Sequence, residues 1–290
     1  MKVWRALGLL VALLTAGRSQ AADTHHMLWA VTGASNTVYL LGSMHLMKPG
    51  DYPLPECIET AFRQSDVLVT EIDLASLATP RSKTALRTQG QLPAGRHLAD
   101  VISAKTYATV CSQLARMGAP VALIDTSKPW LAAMSLSVLK LTQLGYNSAN
   151  GIDVYFDGLA RRQGKKVLGL ETADDQFRLF DTLSLPDQEA LLDYTVGEID
   201  TLDAAAQQLV TAWREGNTDG LEAILLEGFA AFPHLERVLL ADRNHAWIET
   251  IRRWLGEGQT YFVVVGAAHL VGPEGLPTVL RKQGYAVRQE

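Results

Sequence analysis

Val38-Tyr-Leu-Leu-Gly-Ser-Met-His45 and Tyr261-Phe-Val-Val-Val-Gly-Ala-Ala-His269 follow one design. Each is an apolar run of strand length, broken by a glycine and ended by a histidine three residues later. Apolar residues without alternation read as a strand buried on both faces, as inside an α/β sheet. The glycine lets the chain turn or approach another backbone as it leaves the sheet. Each histidine then stands just past the carboxyl end of its strand, where open α/β sheets place their ligand crevices. One GxxH is common by chance. Two, each hung on a strand and more than two hundred residues apart, organise the reading of the chain.

Outward from these stretches, Leu28–Val31 and Thr37–Leu41 read as paired strands around the turn-rich Gly33–Asn36. Val67–Asp73, Lys166–Glu171 and Tyr285–Arg288 supply further strands. Helices are expected at Pro55–Gln64, Ser103–Met117, Pro129–Leu144 and Ile152–Gln163, then as long runs over Pro186–Trp213, Thr218–Gly228 and Leu235–Leu255, with another after Pro273. The expected fold class is α/β: a mixed central sheet built from both ends of the chain, flanked by helices, with a mainly helical insertion over about 76–146. Residues 22–290 are expected to form a single domain.

The chain has 290 residues, is 48% apolar and 20% charged, and carries a net charge of −5. This gives no electrostatic footprint for nucleic acid or anionic lipid. Lys2 and Arg5, the apolar Leu7–Ala16 and Ser19-Gln-Ala21 read as a cleavable signal peptide over residues 1–21. No other stretch reaches about twenty apolar residues. A soluble periplasmic or secreted protein is expected, with no stable membrane insertion after cleavage. Cys57 and Cys111 could pair in such a compartment, though two separate thiols are the simpler expectation.

Four strands end in side chains capable of chemistry: His45, Glu71 with Asp73, Glu171 and His269. Imidazoles and carboxylates at one sheet edge are the inventory of a divalent metal site with open positions. They are equally the inventory of metal-free acid–base catalysis. Glu71 belongs to a buried strand, where a carboxylate without a partner is costly. Asp73 could instead cap the following segment, and helix capping explains Glu171 as well as function does. In the helix expected over Leu235–Leu255, Arg243 and Asn244 share the apolar stripe with Trp247, Ile248 and Ile251. A guanidinium there needs a carboxylate or an anionic ligand, and the strand-end carboxylates are the candidates. His245 falls on the solvated side, and His25, His26, His97 and His234 read as structural or exposed. GxSxG, HExxH, P-loop and GxGxxG signatures are missing.

With these residues in place, the chain resembles the TraB/PrgY/GumN family. The resemblance rests on Gly42-Ser-Met-His45, Glu71, Gly151-Ile-Asp153, Leu170-Glu-Thr172 with Gln176, Asp242-Arg-Asn244 and Gly266-Ala-Ala-His269. The Tiki proteins, membrane-anchored proteases that clip Wnt ligands, are similar in the same motifs, and the wider group resembles the ChaN and erythromycin-esterase folds. The resemblance implies a Tiki-like metal-dependent hydrolase with manganese, cobalt or zinc, centred on His45, Glu71 and His269 and supported by Arg243 and Asn244. No carboxyl-terminal membrane segment is expected here.

The leading expectation is therefore a metallohydrolase acting on a peptide or small-molecule acyl bond. His45, His269 and Glu71 would be its metal ligands, Glu171 or Asp73 its general base, and Arg243 would orient that base or hold the oxyanion. Two alternatives stand beside it: a non-catalytic periplasmic protein binding a peptide or haem-like ligand, and a metal-free His/Glu esterase. Ligands of one ion meet within a few Å, so a separation of His45 from His269 beyond about 10 Å would exclude the first.

Overall fold

A computed structural model describes residues 25–229 and 232–290; the expected signal peptide lies outside them. In chain order the elements are β1 (Leu28–Thr32), β2 (Thr37–Ser43), α1 (Glu56–Gln64), β3 (Val67–Ile72), α2 (Pro80–Gly90), α3 (Ala104–Arg116), α4 (Pro129–Gln143) and α5 (Ile152–Arg162). There follow β4 (Lys166–Glu171), α6 (Ala173–Asp181), α7 (Leu185–Glu198), α8 (Leu202–Arg214) and α9 (Thr218–Glu227). Last come α10 (Pro233–Glu236), a π-helical turn (Arg237–Ala241), α11 (Asp242–Leu255), β5 (Tyr261–Gly266), α12 (Leu276–Lys282) and β6 (Ala286–Gln289).

Among the described residues six strands form one mixed sheet in the order β4-β3-β5-β2-β1-β6. β4, β3, β5 and β2 run parallel, while β1 is antiparallel to both β2 and β6. The chain is thus α/β, with strands drawn from both of its ends. Residues 38–41 of β2 and the whole of β5 up to Val265 are largely buried, as unalternated apolar runs require. The two GxxH strands are direct neighbours, with Ser43 opposite Gly266. The register therefore delivers both histidines to the same sheet edge.

The sheet core includes Trp29, Leu40, Phe62, Phe156 and Phe262. A second apolar cluster joins Val110 and Leu114 of α3, Leu136 of α4 and Leu192 and Val196 of α7. That helical core draws on α7, beyond the expected 76–146 section. The single helix expected over Pro186–Trp213 is instead two. Between α7 and α8, Ile199 is buried, Arg116 clamps Asp200 at 2.9 and 3.0 Å, and Thr201 donates to the Glu198 carbonyl at 2.9 Å. The expected Leu235–Leu255 helix is likewise interrupted by its π turn, which no simple apolar period announces. Cys57 and Cys111 are both free and half-buried.

Candidate functional site

The glycine of each GxxH is required by close approach. A Cβ on Gly42 would stand 3.2 Å from the Ala267 backbone, and one on Gly266 would stand 3.2 Å from Glu71 Oε1. The same point on Gly266 lies 3.7 Å from the His269 ring and 4.0 Å from His45 Nε2, so the two histidines converge as the sequence reading demanded. Trp213 of α8 fixes this sheet end by donating its indole N–H to the Gly42 carbonyl at 2.6 Å.

Each imidazole is oriented from behind. His45 Nδ1 meets Asp153 Oδ2, in the first turn of α5, at 3.1 Å. His269 Nδ1 donates to Asn244 Oδ1 at 2.7 Å, while the Asn244 amide donates to the backbone carbonyls of His269 and Glu274. That amide orientation leaves Nε2 of His269 as an acceptor. Holding Nδ1 on an oxygen and presenting Nε2 is also how proteins prepare histidines for metals. His269 is 3% exposed and packs on Trp247 at 4.5 Å between ring centroids. Burial, with Arg243 and His45 nearby, pushes its pKa down to about 3 despite Glu71, so it is neutral at pH 7. His45 differs. Surrounding protein disfavours its charged form, but the hydrogen bond and charge of Asp153, with Glu71, raise its pKa to about 9. Its ring still opens to solvent along the cleft.

Arg243 stands at the centre. It donates Nη2 to Glu71 Oε2 at 2.6 Å, a close bond to Glu171, and Nη1 both to the Leu239 carbonyl of the π turn at 2.9 Å and to His269 Nε2 at 3.0 Å. Its guanidinium also lies 4.6 Å from the Trp247 ring centre. The Gln176 amide bridges Glu71 and Glu171 at 2.9 and 2.8 Å, and the Gly266 N–H reaches Glu71 Oε1 at 2.7 Å. Burial opposes ionisation of Glu71, yet the surrounding groups hold its pKa down to about 2. In the pH range where Glu71 titrates His269 is itself protonated, and its charge, then those of Arg243 and His45, are responsible. The same carboxylates raise the pKa of Arg243 against the effect of its burial.

Ser43, His45, Glu71, Gln176, Arg243 and His269 all line one cavity of about 540 Å³. Its remaining wall is almost entirely apolar, from α4, α6, α8, α9 and the π turn, which turns both Leu239 and Leu240 inward. Glu171 reaches the site through Arg243 and Gln176, and Asn244 through His269. Asp73 is not part of it: it caps the following turn at Ala75 and pairs with Arg161 at 2.5 Å. His245 is exposed and paired with Glu274. Asp153 and Gln176 entered the sequence reading only through the family motifs. An acid in the first turn of a helix ordinarily reads as a favourable dipole contact, which hides its partner. Ser43 carried no signal beyond its place in GxxH.

The donor atoms fit a divalent ion in kind: two imidazoles with Nε2 turned inward and an ionised glutamate. His269 Nε2 and Glu71 Oε1 are 3.9 Å apart, within the roughly 4 Å that two ligands of one ion can span. Glu71, Glu171 and Asp153 also give the cluster carboxylate charge to balance. Among the described residues no three His, Cys, Asp or Glu side chains already form a ligating group. Arg243 Nη1 occupies the His269 lone pair that an ion would need.

The TraB/PrgY/gumN family model matches residues 27–289. The uncharacterized protein YbaP of Escherichia coli (strain K12) is 31% identical over 244 residues, covering 84% of this chain and 87% of YbaP. A YbaP of Shigella flexneri matches to the same extent. A metalloprotease TIKI homolog of Amphimedon queenslandica is 24% identical, covering 93% of this chain and 62% of its own length. No solved structure matches the chain. Among the described residues no helix is long and apolar enough to cross a membrane.

Proposed function

The chain belongs to the TraB/PrgY/gumN family, and we propose that it is a hydrolase of amide or ester bonds using a divalent ion held by His45, His269 and Glu71. The observation that carries this is the convergence of both imidazoles and Glu71 on Gly266, at the polar end of an apolar cavity. The likeness to a protein named a metalloprotease supports the class of chemistry.

A bound ion would supply Lewis acidity, polarising a substrate carbonyl and acidifying water. The chain's own groups do the rest. Asp153 and Asn244 fix the two rings, so neither has to reorient when substrate arrives. Arg243, released from His269 Nε2, frees one Nη1 N–H for negative charge developing on a carbonyl oxygen. Glu71 and Glu171, bridged by the Gln176 amide, hold that guanidinium in place. The apolar wall excludes water from the substrate and strengthens these charges.

A second reading has its own observation: Arg243 already satisfies Glu71, and His45 carries a proton at neutral pH. In a metal-free hydrolase, His45 Nε2 would protonate the leaving group and recover its proton from the attacking water. Metal content of the purified protein separates the two. Near-stoichiometric manganese, cobalt or zinc, lost in both His45→Ala and His269→Ala, supports the metallohydrolase. A protein that stays metal-free after reconstitution with each ion, but hydrolyses esters in chelator, supports the second. Ligand binding without turnover under either condition would leave a binding protein.

A further inference from the structure

We propose that the substrate carries a long hydrocarbon acyl chain, which fills the cavity and sets its carbonyl among Ser43, His45 and Arg243. The inference rests on the hydrolase reading for its chemistry, but not for the binding of the chain. The hydrogen-bonded cluster gathers Glu71, Gln176, Arg243 and His269 at one place, with Ser43 and His45 beside it on the same sheet edge. Elsewhere, Tyr146 apart, the wall is hydrocarbon, with Leu141, Phe180, Leu209, Leu221, Leu225 and Leu240 among its residues.

Such a wall discriminates between ligand classes. A peptide brings an N–H and a C=O with every residue, and each costs free energy when buried without a partner. This wall offers almost none. An alkyl chain brings no polar atoms, and about 540 Å³ falls within the usual range for a ligand pocket. Apolar surface gathered in a solvent-open groove of this size marks a ligand or partner site. At the polar end, Ser43 is 3% exposed and its hydroxyl has no hydrogen-bond partner among the described residues. A buried donor left in this way on the cavity wall suits a ligand oxygen. Hydrolysis would add water across the acyl bond: the hydroxyl joins the acyl carbon, that carbon's bond to oxygen or nitrogen breaks, and the leaving atom takes the proton. A fatty carboxylate and an alcohol or amine result.

Calorimetric titration of the full chain with straight-chain carboxylates from butyrate to palmitate tests this. Affinity should rise about fourfold per methylene until the cavity is filled. Ala205→Trp on α8, projecting into the apolar part, should abolish that length dependence. His45→Ala should weaken every carboxylate by a similar factor and leave the slope per methylene unchanged. Should Ala205→Trp not fold, the series on the unaltered protein decides alone. Affinity independent of length, or tighter binding of a short apolar peptide than of any carboxylate, overturns the proposal. Length-dependent binding without turnover of acyl esters would leave it standing and remove the hydrolase. Turnover of peptides or acetyl esters without length-dependent binding would do the reverse.

Discussion

Replacing Arg243 by methionine keeps most of the side chain's length and apolar bulk and deletes its charge. Glu71 and Glu171, each 12% exposed at the side chain, would then face one another without a buried cation. Removing one partner of a buried ion pair costs about 3–5 kcal/mol. At roughly 2–4 °C per kcal/mol for a chain of this size, the melting temperature should fall by on the order of 10 °C at pH 7. The pH dependence should also change sign. In the unaltered protein, Glu71 is depressed to about 2. Its contribution is complete above the ordinary glutamate range and is lost progressively as pH falls from there through that low value. In the variant, burial and a like charge raise the carboxylate pKa. Stability from that group is then complete below the unfolded value and lost as pH rises through the folded one. Thermal unfolding in chelator at pH 7 and at pH 5 measures both effects. The variant should regain stability at pH 5, while the parent changes little. A variant melting within about 2 °C of the parent at pH 7, or losing further stability at pH 5, would refute the central place given to Arg243.

Asp153→Asn removes the charge that raises His45, so an NMR titration of the metal-free protein should show the His45 pKa falling from about 9 by more than a unit. Gly266→Ala puts a methyl 3.2 Å from Glu71 Oε1 and near both imidazoles; metal binding or turnover should drop by at least about tenfold, the order of loss seen when groups that orient ligands are disturbed, with the circular dichroism spectrum preserved. Trp213→Phe leaves the buried Gly42 carbonyl without its 2.6 Å donor and should cost about 1–3 kcal/mol in denaturant unfolding. Glu189→Ala removes the acceptor of the Ser103 N–H and Thr106 hydroxyl at the start of α3, and should lower stability by about 1 kcal/mol.

The centre of the sheet was legible because its strands are buried on both faces, and burial of that kind writes itself as unbroken apolar runs: β2, β3 and β5 stand where the residues put them. His45, Glu71 and His269 could be selected because a strand end fixes where a side chain goes without any tertiary information. Arg243 and Asn244 were legible for another reason, since a polar pair in an apolar stripe requires a buried partner. Asp73 and Glu171 occupy equivalent strand-end positions, and the sequence offered nothing to separate them. Tertiary contacts do so: Arg161 takes Asp73 away, while Arg243 claims Glu171. The break at Ile199–Thr201 and the π turn stayed hidden because packing against α3 and the cavity, rather than a proline or glycine signal, interrupts those helices. Ser43 and the cavity wall were invisible, because apolar residues facing a void have the same spacing as those facing a core.

The neighbouring register of β2 and β5 ties the earliest described part of the chain to one of the last. A chain emerging from its amino end completes β1 and β2 long before β5 exists, so that side of β2 waits as an open edge. One histidine is delivered at the start of synthesis and the other near its finish, and the carboxylate between them belongs to a strand that also pairs with β5. A form in which β5 is not seated lacks both His269 at its place and the Gly266 N–H that holds Glu71. Activity, wherever it is measured, is therefore a report that β5 is seated between β2 and β3.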